Sequence, residues 1–248
     1  MQYGICHLSI VPIRSLAEDS AEMVSQLLYG EHYKILEERK NWSKIRIAFD
    51  KCEGWVHNNQ IISLTENEYN DLDSTTSPKY TIDLVSFIET KKNNLLPIVI
   101  GSSINKSSNH KHEGNVISSK QEKSNLINTA LIYLNSPYLW GGKTPFGLDG
   151  PGFTQMVYKI NGYKLLRSAA SQATQGNALS FIEESETGDL AFFDNNEGEI
   201  NHVGLIMENN YIIHVHGKVR IDRIDHTGIF NTDSNTYTHR LRVIKQVL

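Results

Sequence analysis

The sequence has 248 residues, of which 39% are hydrophobic and 21% charged, the composition of an ordinary soluble globular protein. The formal net charge of −4 argues against the basic surface on which nucleic-acid binding depends, so we expect no nucleic-acid partner. The two cysteines, Cys6 and Cys52, are too few for a disulfide-stapled scaffold and favour a reducing compartment.

The N-terminus and the hydropathy pattern indicate neither a signal peptide nor a membrane span. The first residues, MQYGICH, lack a basic head followed by an apolar stretch. No apolar run approaches the roughly 20 residues of a transmembrane helix. We therefore expect a cytoplasmic protein if the chain is full length, and a periplasmic or secreted one if a signal peptide was trimmed.

Residues 1–65 contain short runs, in part alternating apolar and polar residues, that predict β-strands. The predicted strands are Ile10–Arg14, Tyr33–Glu37, Trp42–Ile47 and Gly54–His57. Four short elements in this order resemble a bacterial SH3-like domain. The resemblance implies a small β-barrel used for targeting or substrate gating, and a barrel that only packs on its neighbour is the alternative.

Residues 66–120 are predicted to form a second, degenerate SH3-like unit with a linker. The predicted elements are a short helix or linker at 66–74 and strands at Tyr80–Val85 and Leu95–Gly101. Residues 102–120 are rich in Ser, Asn, His and Lys, a composition that predicts a mobile loop. His110 and His112 in this loop have no cysteine or carboxylate at metal-ligand spacing, so we expect no metal and no cofactor.

The pattern becomes helical after Lys123. The residues on one face of the predicted amphipathic helix are Leu126, Ile127, Ala130, Leu131 and Leu134. A loop rich in glycine and aromatic residues follows, and a second helix then begins abruptly. Asp149 is a good N-cap for this helix, and Pro151 is tolerated in a first turn because its missing N–H would have no helical partner.

Strand patterns follow the second helix, joined by turn-rich segments. The predicted antiparallel strands are Gly188–Phe193, His202–Met207 and Tyr211–His216. Helices followed by an antiparallel sheet predict an α+β domain over residues 121–248.

The loop YLWGG at 138–142 and the helix start DGPGF at 149–153 carry a resemblance to a known family. They resemble the active-site loop and helix of the NlpC-type cell-wall peptidases, papain-like cysteine enzymes that cut peptidoglycan peptides. In that family the loop reads like Tyr-x-Trp-Gly-Gly and the helix opens Asp-Cys-Ser-Gly-Phe. Gly150 therefore stands at the position of the nucleophilic cysteine.

The resemblance implies a role for each remaining position of the catalytic site. His202 matches the general base, His214 the residue that orients it, and Tyr138 the hydroxyl that helps to hold the oxyanion. Gly150 has no side chain to ionise, so the covalent step lacks its nucleophile. Pro151 also removes a backbone N–H at the helix end where the family stabilises the oxyanion.

The resemblance extends to γ-D-glutamyl-L-diamino acid endopeptidases of the dipeptidyl-peptidase VI type. These carry Arg-Asp after the active-site helix, and the aspartate binds the free amine of the stem peptide. Here Arg167 is followed by Ser168, so a neutral hydroxyl replaces a charge-assisted hydrogen bond. The resemblance implies that Ser168, Arg167, Trp140 and Asp149 line the substrate site.

These observations predict an α+β protein with one or two N-terminal SH3-like β-barrels followed by a papain-like NlpC-type domain. The predicted domains are 1–65, 66–120 and 121–248. The predicted function is that of a catalytically inactive relative that binds a peptidoglycan stem peptide or muropeptide. Two alternatives stay open: an active endopeptidase that uses another nucleophile, and an SH3-like protein-interaction scaffold. The sequence does not determine the oligomeric state.

Overall fold

The computed structural model describes residues 2–90, 93–104 and 110–248, and in these residues the chain is mostly β-strand with four α-helices. The chain divides into two compact units. The first unit comprises Met1–Lys120, Trp140–Pro145 and Gly162–Lys164, and the second comprises Gln121–Leu139, Phe146–Asn161 and Leu165–Leu248. The predicted α+β fold class is confirmed.

The first unit opens with a seven-stranded antiparallel sheet. Its strands are β1 (Gln2–Ile5), β2 (Ile10–Arg14), β3 (Met23–Leu28), β4 (His32–Glu38), β5 (Trp42–Ile47), β6 (Glu53–His57) and β7 (Ile62–Leu64). They lie in the order β3-β2-β6-β5-β4-β1-β7. The four strands predicted from the sequence correspond to β2, β4, β5 and β6.

Alternating side chains of this sheet form one apolar core. The buried members of the core are Cys6, Val11, Ile13, Leu27, Tyr33, Ile45, Ile47 and Val56. In β2 and β5 every second residue is buried, the period of a sheet with one covered face. Burial raises the pKa of the Cys6 thiol to about 12, so this cysteine is an inert core residue.

Residues 66–120 begin with a helix, α1 (Glu66–Asp73). Thr65 and Glu68 form a capping box at its first turn. The strands that follow are β8 (Tyr80–Thr81), β9 (Val85–Glu89), β10 (Leu95–Val99), β11 (Lys111–Glu113) and β12 (Val116–Ile117). They form two small sheets, β10-β9-β11 and β12-β8. The assignment of this segment as a degenerate SH3-like unit stays a prediction.

The predicted loop at 102–120 is wrong where β11 and β12 form. Composition favoured a loop, but cross-strand pairing of Lys111–Glu113 with β9 supplies the backbone hydrogen bonds that a polar segment lacks by itself. His112 lies 3.0 Å from the Ser86 hydroxyl, and His110 lies 2.9 Å from the Tyr29 hydroxyl. Residues 105–109 of the predicted loop lie outside the described residues.

The second unit contains three helices and most of the remaining strands. The helices are α2 (Asn125–Ile132), α3 (Gly150–Ile160) and α4 (Ala169–Gln172). After β13 (Lys143–Thr144), which belongs to the first unit, the strands are β14 (Gly147–Leu148), β15 (Asn177–Leu179), β16 (Leu190–Asp194), β17 (Ile200–Met207), β18 (Tyr211–His216), β19 (Lys218–Ile224), β20 (Gly228–Asn231) and β21 (Thr236–Gln246).

The strands β16 to β21 close on themselves as a barrel. Consecutive strands pair antiparallel from β16 to β20, and β21 pairs with both β20 and β16. The strand β15 pairs with the last three residues of β21, 244–246. The barrel interior is apolar, with the buried residues Ala191, Phe193, Ile206, Ile212, Ile224, Ile229 and Ile244. Because the barrel is closed, each of these six strands pairs with a neighbour on both sides.

The helix α3 packs on β17 and β18 and against α2. Every described residue of α3 except Pro151 is buried, including Phe153, Met156 and Val157, as expected of a helix covered on all sides. Tyr133 at the end of α2 meets Phe153 edge to face, with ring centroids 6.1 Å apart. This packing brings the first turn of α3 against β17, the strand that carries His202.

Candidate functional site

The first turn of α3 is held by Asp149. Its side-chain oxygen accepts a hydrogen bond from the Gly152 N–H at 2.7 Å, which confirms the N-cap predicted from the sequence. Arg167 donates two hydrogen bonds to the same carboxylate, at 2.9 and 2.8 Å, and the side chains of both residues are almost fully buried. A bidentate pair of this kind holds both side chains in one orientation.

Gly150 opens directly towards His202. A Cβ atom placed on Gly150 would lie 3.4 Å from His202 Nδ1 and 3.3 Å from the carbonyl oxygen of Val203. Gly150 has helical backbone geometry and is not among the glycines with positive φ, so this position accepts an L side chain. A side chain at position 150 would therefore contact the imidazole of His202.

His202 is the first member of a hydrogen-bonded triad, by which we mean His202, His214 and Asp222. His202 Nε2 lies 3.0 Å from His214 Nδ1, and His214 Nε2 lies 2.9 Å from Asp222 Oδ2. Arg220 donates to both oxygens of Asp222, at 2.7 and 2.8 Å. All three members of the triad are buried.

Strand register brings the triad together. Gly204 pairs with His214, so His202 lies two residues away from this pair on the same face of β17. Ile212, two residues before His214, pairs with Asp222 of β19, so Asp222 lies on the same face of the sheet as His214. Gly204 permits the close approach, because a Cβ there would lie 2.9 Å from the Cβ of His214.

The hydrogen-bond pattern defines the tautomers of the two rings. An ionised carboxylate only accepts hydrogen bonds, so His214 Nε2 donates to Asp222 and His214 Nδ1 accepts from His202 Nε2. His202 Nδ1 then carries a lone pair, and this atom faces position 150. Such an arrangement can take a proton from a nucleophile at position 150.

Burial keeps the imidazoles neutral. It lowers the pKa of His202 well below its usual value, and the neighbouring His239 and His214 add to the effect. It also lowers the pKa of His214, although the hydrogen bond to Asp222 acts in the opposite direction. For Asp222, burial favours the protonated form, but the hydrogen bonds from His214 and Arg220 outweigh it and lower the pKa to about 2. The triad is therefore neutral, neutral and anionic near pH 7.

The other predicted site residues, Tyr138, Trp140 and Ser168, each contact different neighbours. Tyr138 is 46% exposed, and its backbone bridges to Leu148, two residues before Gly150. Trp140 belongs to the first unit, where its indole N–H donates to Glu22. The Ser168 hydroxyl caps α4: it accepts from the Ser171 N–H at 3.2 Å and donates to the Ser171 hydroxyl at 2.8 Å.

Three residues of this region were missed by sequence reasoning: Arg220, Asp222 and His239. His239 stacks on His202, with ring centroids 4.0 Å apart and planes 23° apart. The signal that was available for the other two is the alternation Arg-Ile-Asp at 220–222, which in a strand places both charged residues on one face. His239 had no such signal, because its contact depends on the barrel closing.

Comparison with known proteins matches two segments of the chain to family models. The sequence profile of the NlpC/P60 family matches residues 135–238, which include Gly150, His202 and His214. Residues 135–238 form an NlpC/P60 domain. The profile described as the bacterial dipeptidyl-peptidase SH3 domain matches residues 13–61. The predicted resemblance to NlpC-type peptidases with an N-terminal SH3-like domain is confirmed.

Two similar relatives are γ-D-glutamyl-L-lysine dipeptidyl-peptidases. The protein from Bacillus subtilis is 38% identical over 97 residues, which cover 38% of this chain and 32% of that protein. The protein from Bacillus cereus is 25% identical over 228 residues, which cover 78% of this chain and 67% of that protein. The chain thus matches about a third of the length of the first relative and two thirds of the second.

A solved structure shows the same fold over the whole chain. The crystal structure of an NlpC/P60 family protein from Bacillus cereus superposes with a TM-score of 0.81 at 18% identity, and the match covers 99% of both chains. Within the described residues, no helix combines the length and the apolar character that crossing a membrane requires.

Proposed function

We propose that this chain is a catalytically silent relative of the peptidoglycan endopeptidases and that its NlpC/P60 domain binds cell-wall peptides. One observation carries the proposal: the His202 base faces position 150 at contact distance, and the residue at that position is a glycine. A base that is positioned and neutral has no thiol to deprotonate. The covalent step of a cysteine peptidase therefore lacks its nucleophile in this chain.

Three other candidate nucleophiles, Thr154, Ser168 and Cys6, are engaged elsewhere. The hydroxyl of Thr154, one turn along α3, is fully buried and donates to Gln172 Oε1 at 2.8 Å. The Ser168 hydroxyl serves as the N-cap of α4. Cys6 lies in the core of the first unit with a raised pKa. A displacement of about 1 Å from the reacting position costs on the order of 100-fold in rate, so replacement by these groups is not supported.

Exposed apolar side chains beside the helix start support a binding role. Tyr138, Leu139 and Phe146 are 46, 43 and 65% exposed, and all three lie in the second unit close in sequence to Gly150. Large apolar side chains grouped at the surface mark ligand or partner sites. Because relatives carry names that describe cleavage beside γ-D-glutamate, we infer that the ligand is a stem peptide with a γ-D-glutamyl bond.

The test measures binding and turnover with one peptide. L-Ala-γ-D-Glu-L-Lys is titrated into the purified chain by calorimetry, and the same mixture is analysed for free diamino acid by mass spectrometry. We expect binding without product. Tyr138→Ala should weaken binding about 10-fold, the loss of roughly 1.4 kcal/mol of contact that a stacked or hydrogen-bonded tyrosine contributes. Phe181→Ala, a 67% exposed aromatic residue of the same unit outside the 138–148 loop, is the matched control and should bind as the unmodified chain does.

Two results would contradict the proposal. Product release that His202→Ala abolishes would mean that the domain is an active endopeptidase with a different nucleophile. Absence of binding to this peptide and to its diaminopimelate analogue would favour an interaction scaffold that acts through the SH3-like domain.

A further inference from the structure

Three imidazoles converge on one point of the second unit: His202 on β17, His214 on β18 and His239 on β21. We call these three residues the histidine cluster. One ring nitrogen from each lies within 4.8 Å of the nitrogens of the other two. His202 and His214 are buried and His239 is partly buried. The triad described above uses His202 and His214 and leaves His239 without a role.

The spacing is close to that of a metal site. In a tetrahedral zinc site with Zn–N distances of about 2.0–2.1 Å, the ligand nitrogens lie about 3.4 Å apart. His202 Nε2 and His214 Nδ1 are already 3.0 Å apart. The other nitrogen pairs lie within 4.8 Å, so a tetrahedral site requires them to close by at most about 1.4 Å and the His239 ring to turn out of its stacking contact with His202.

The surroundings of His214 are those of a metal ligand. Its Nε2–H donates to Asp222 at 2.9 Å, which leaves the lone pair on Nδ1. Metal-bound histidines commonly donate their second ring N–H to a carboxylate, because this fixes the tautomer and strengthens the ligand. Arg220 holds Asp222 with two hydrogen bonds, so the carboxylate is fixed before any ion arrives.

Binding of an ion changes the tautomer of one ring. A histidine binds a metal through the lone pair of a neutral ring. His202 changes tautomer when its Nε2 becomes a ligand, and its hydrogen then resides on Nδ1, on the side of Gly150.

We propose that His202, His214 and His239 bind one divalent transition-metal ion of the class that imidazole ligands prefer, with Zn²⁺ as the foremost member. Three imidazoles leave at least one coordination position for water or for an oxygen of a bound ligand. The proposal does not depend on what peptide the domain binds. Sequence reasoning predicted no metal from the surroundings of His110 and His112 and did not consider these three histidines, which meet only in the folded barrel.

The test begins with the full chain treated with EDTA and dialysed. Co²⁺ is titrated first, because its d–d absorption in the visible range reports imidazole coordination, and Zn²⁺ is then added in competition. We expect one Co²⁺ per chain, displacement by one Zn²⁺, and a rise in the unfolding temperature on Zn²⁺ addition because the ion binds the folded state. In NMR spectra of the unmodified chain, the ring signals of the three histidines should shift together.

Variants locate the ion. His239→Phe keeps an aromatic ring against His202 and removes both ring nitrogens, and we expect it to weaken binding by more than about 100-fold, beyond the range of a supporting residue. Asp222→Asn removes the charged acceptor of the His214 Nε2–H hydrogen bond and should weaken binding about 10- to 100-fold. His226→Phe is the matched control, because His226 is an exposed histidine of the same unit. Its affinity should be unchanged.

The proposal is overturned by any of three results. These are absence of stoichiometric binding at micromolar Zn²⁺, unchanged affinity in His239→Phe, and an equal loss of affinity in His226→Phe. Each variant is checked by circular dichroism without metal. If His239→Phe fails to fold, the NMR ring signals of the three histidines in the unmodified chain locate the ion. An ion bound at another site would leave the chemical shifts of these signals unchanged.

Discussion

His202 Nδ1 lies 3.4 Å from the position that a Cβ on Gly150 would occupy. The two residues lie on different elements, the first turn of α3 and the strand β17. His202 and the first turn of α3 therefore face each other across a residue that has no side chain. The first two predictions ask what a side chain at this position would do.

Gly150→Cys is expected to create a reactive thiol. Its pKa should fall below the usual value of about 8.5, because the helix N-terminus favours the thiolate and the neutral His202 can take up the thiol proton and pair with the thiolate. The measurement is the rate of iodoacetamide alkylation as a function of pH. In Gly150→Cys with His202→Ala, the pKa should move back towards the usual value. An unshifted pKa in the single variant would show that helix and base do not act on position 150.

The single variant should gain little hydrolysis, and the triple variant Gly150→Cys, Pro151→Ser, Ser168→Asp should gain measurable endopeptidase activity. The second change restores a backbone N–H at the helix start, and the third restores a carboxylate for the substrate amine. Aspartate is also a good N-cap, so α4 should keep its cap. Release of L-Lys from L-Ala-γ-D-Glu-L-Lys is measured beside its N-acetylated form. Equal rates with both peptides would contradict the role given to position 168.

Breaking the buried ion pair beneath α3 should destabilise the protein strongly. Arg167→Met leaves the Asp149 carboxylate buried without its cation, at an expected cost of about 3 kcal/mol in the free energy of unfolding. The matched control is Arg46→Met, because Arg46 contacts the Glu53 carboxylate while both side chains stay partly exposed, at 45% and 33%. The control should lose at most about 1 kcal/mol. Urea unfolding followed by far-ultraviolet circular dichroism measures both, and equal losses would refute the role of burial.

The stability of the metal-free protein should fall as the pH drops below about 6.5. The folded-state pKa values of His202 and His239 lie below the unfolded value, so the unfolded state binds more protons in this range. Their contribution is complete above pH 6.5 and is lost as the pH falls towards the folded values, by at most about 1.4 kcal/mol per pH unit for each histidine. His239→Phe should show a shallower slope between pH 6.5 and 4.5 in urea unfolding with EDTA present. Identical slopes would mean that His239 does not titrate differently in the two states.

The local chemistry of the chain was sufficient to predict the helix start and two of the strands that carry the site. The Asp149 cap depends on contacts within one turn, and the runs His202–Met207 and Tyr211–His216 show the turn-bounded apolar composition of strands. The predicted strands β2, β5 and β18 have the bounds that the structure shows. The place of Gly150 beside His202 followed from the family resemblance, and the packing of α3 on β17 accounts for it physically.

The tertiary structure alone decided which polar groups meet. Asp222 joins His214 because β18 and β19 pair in one register, and a shift by one residue would turn the carboxylate to the other face of the sheet. Arg167 turned out to hold Asp149, and Trp140 donates to Glu22 in the first unit. His239 reaches His202 only because β21 closes the barrel between β20 and β16. These contacts join residues that are distant in the chain, and periodicity and capping patterns carry information only about neighbours.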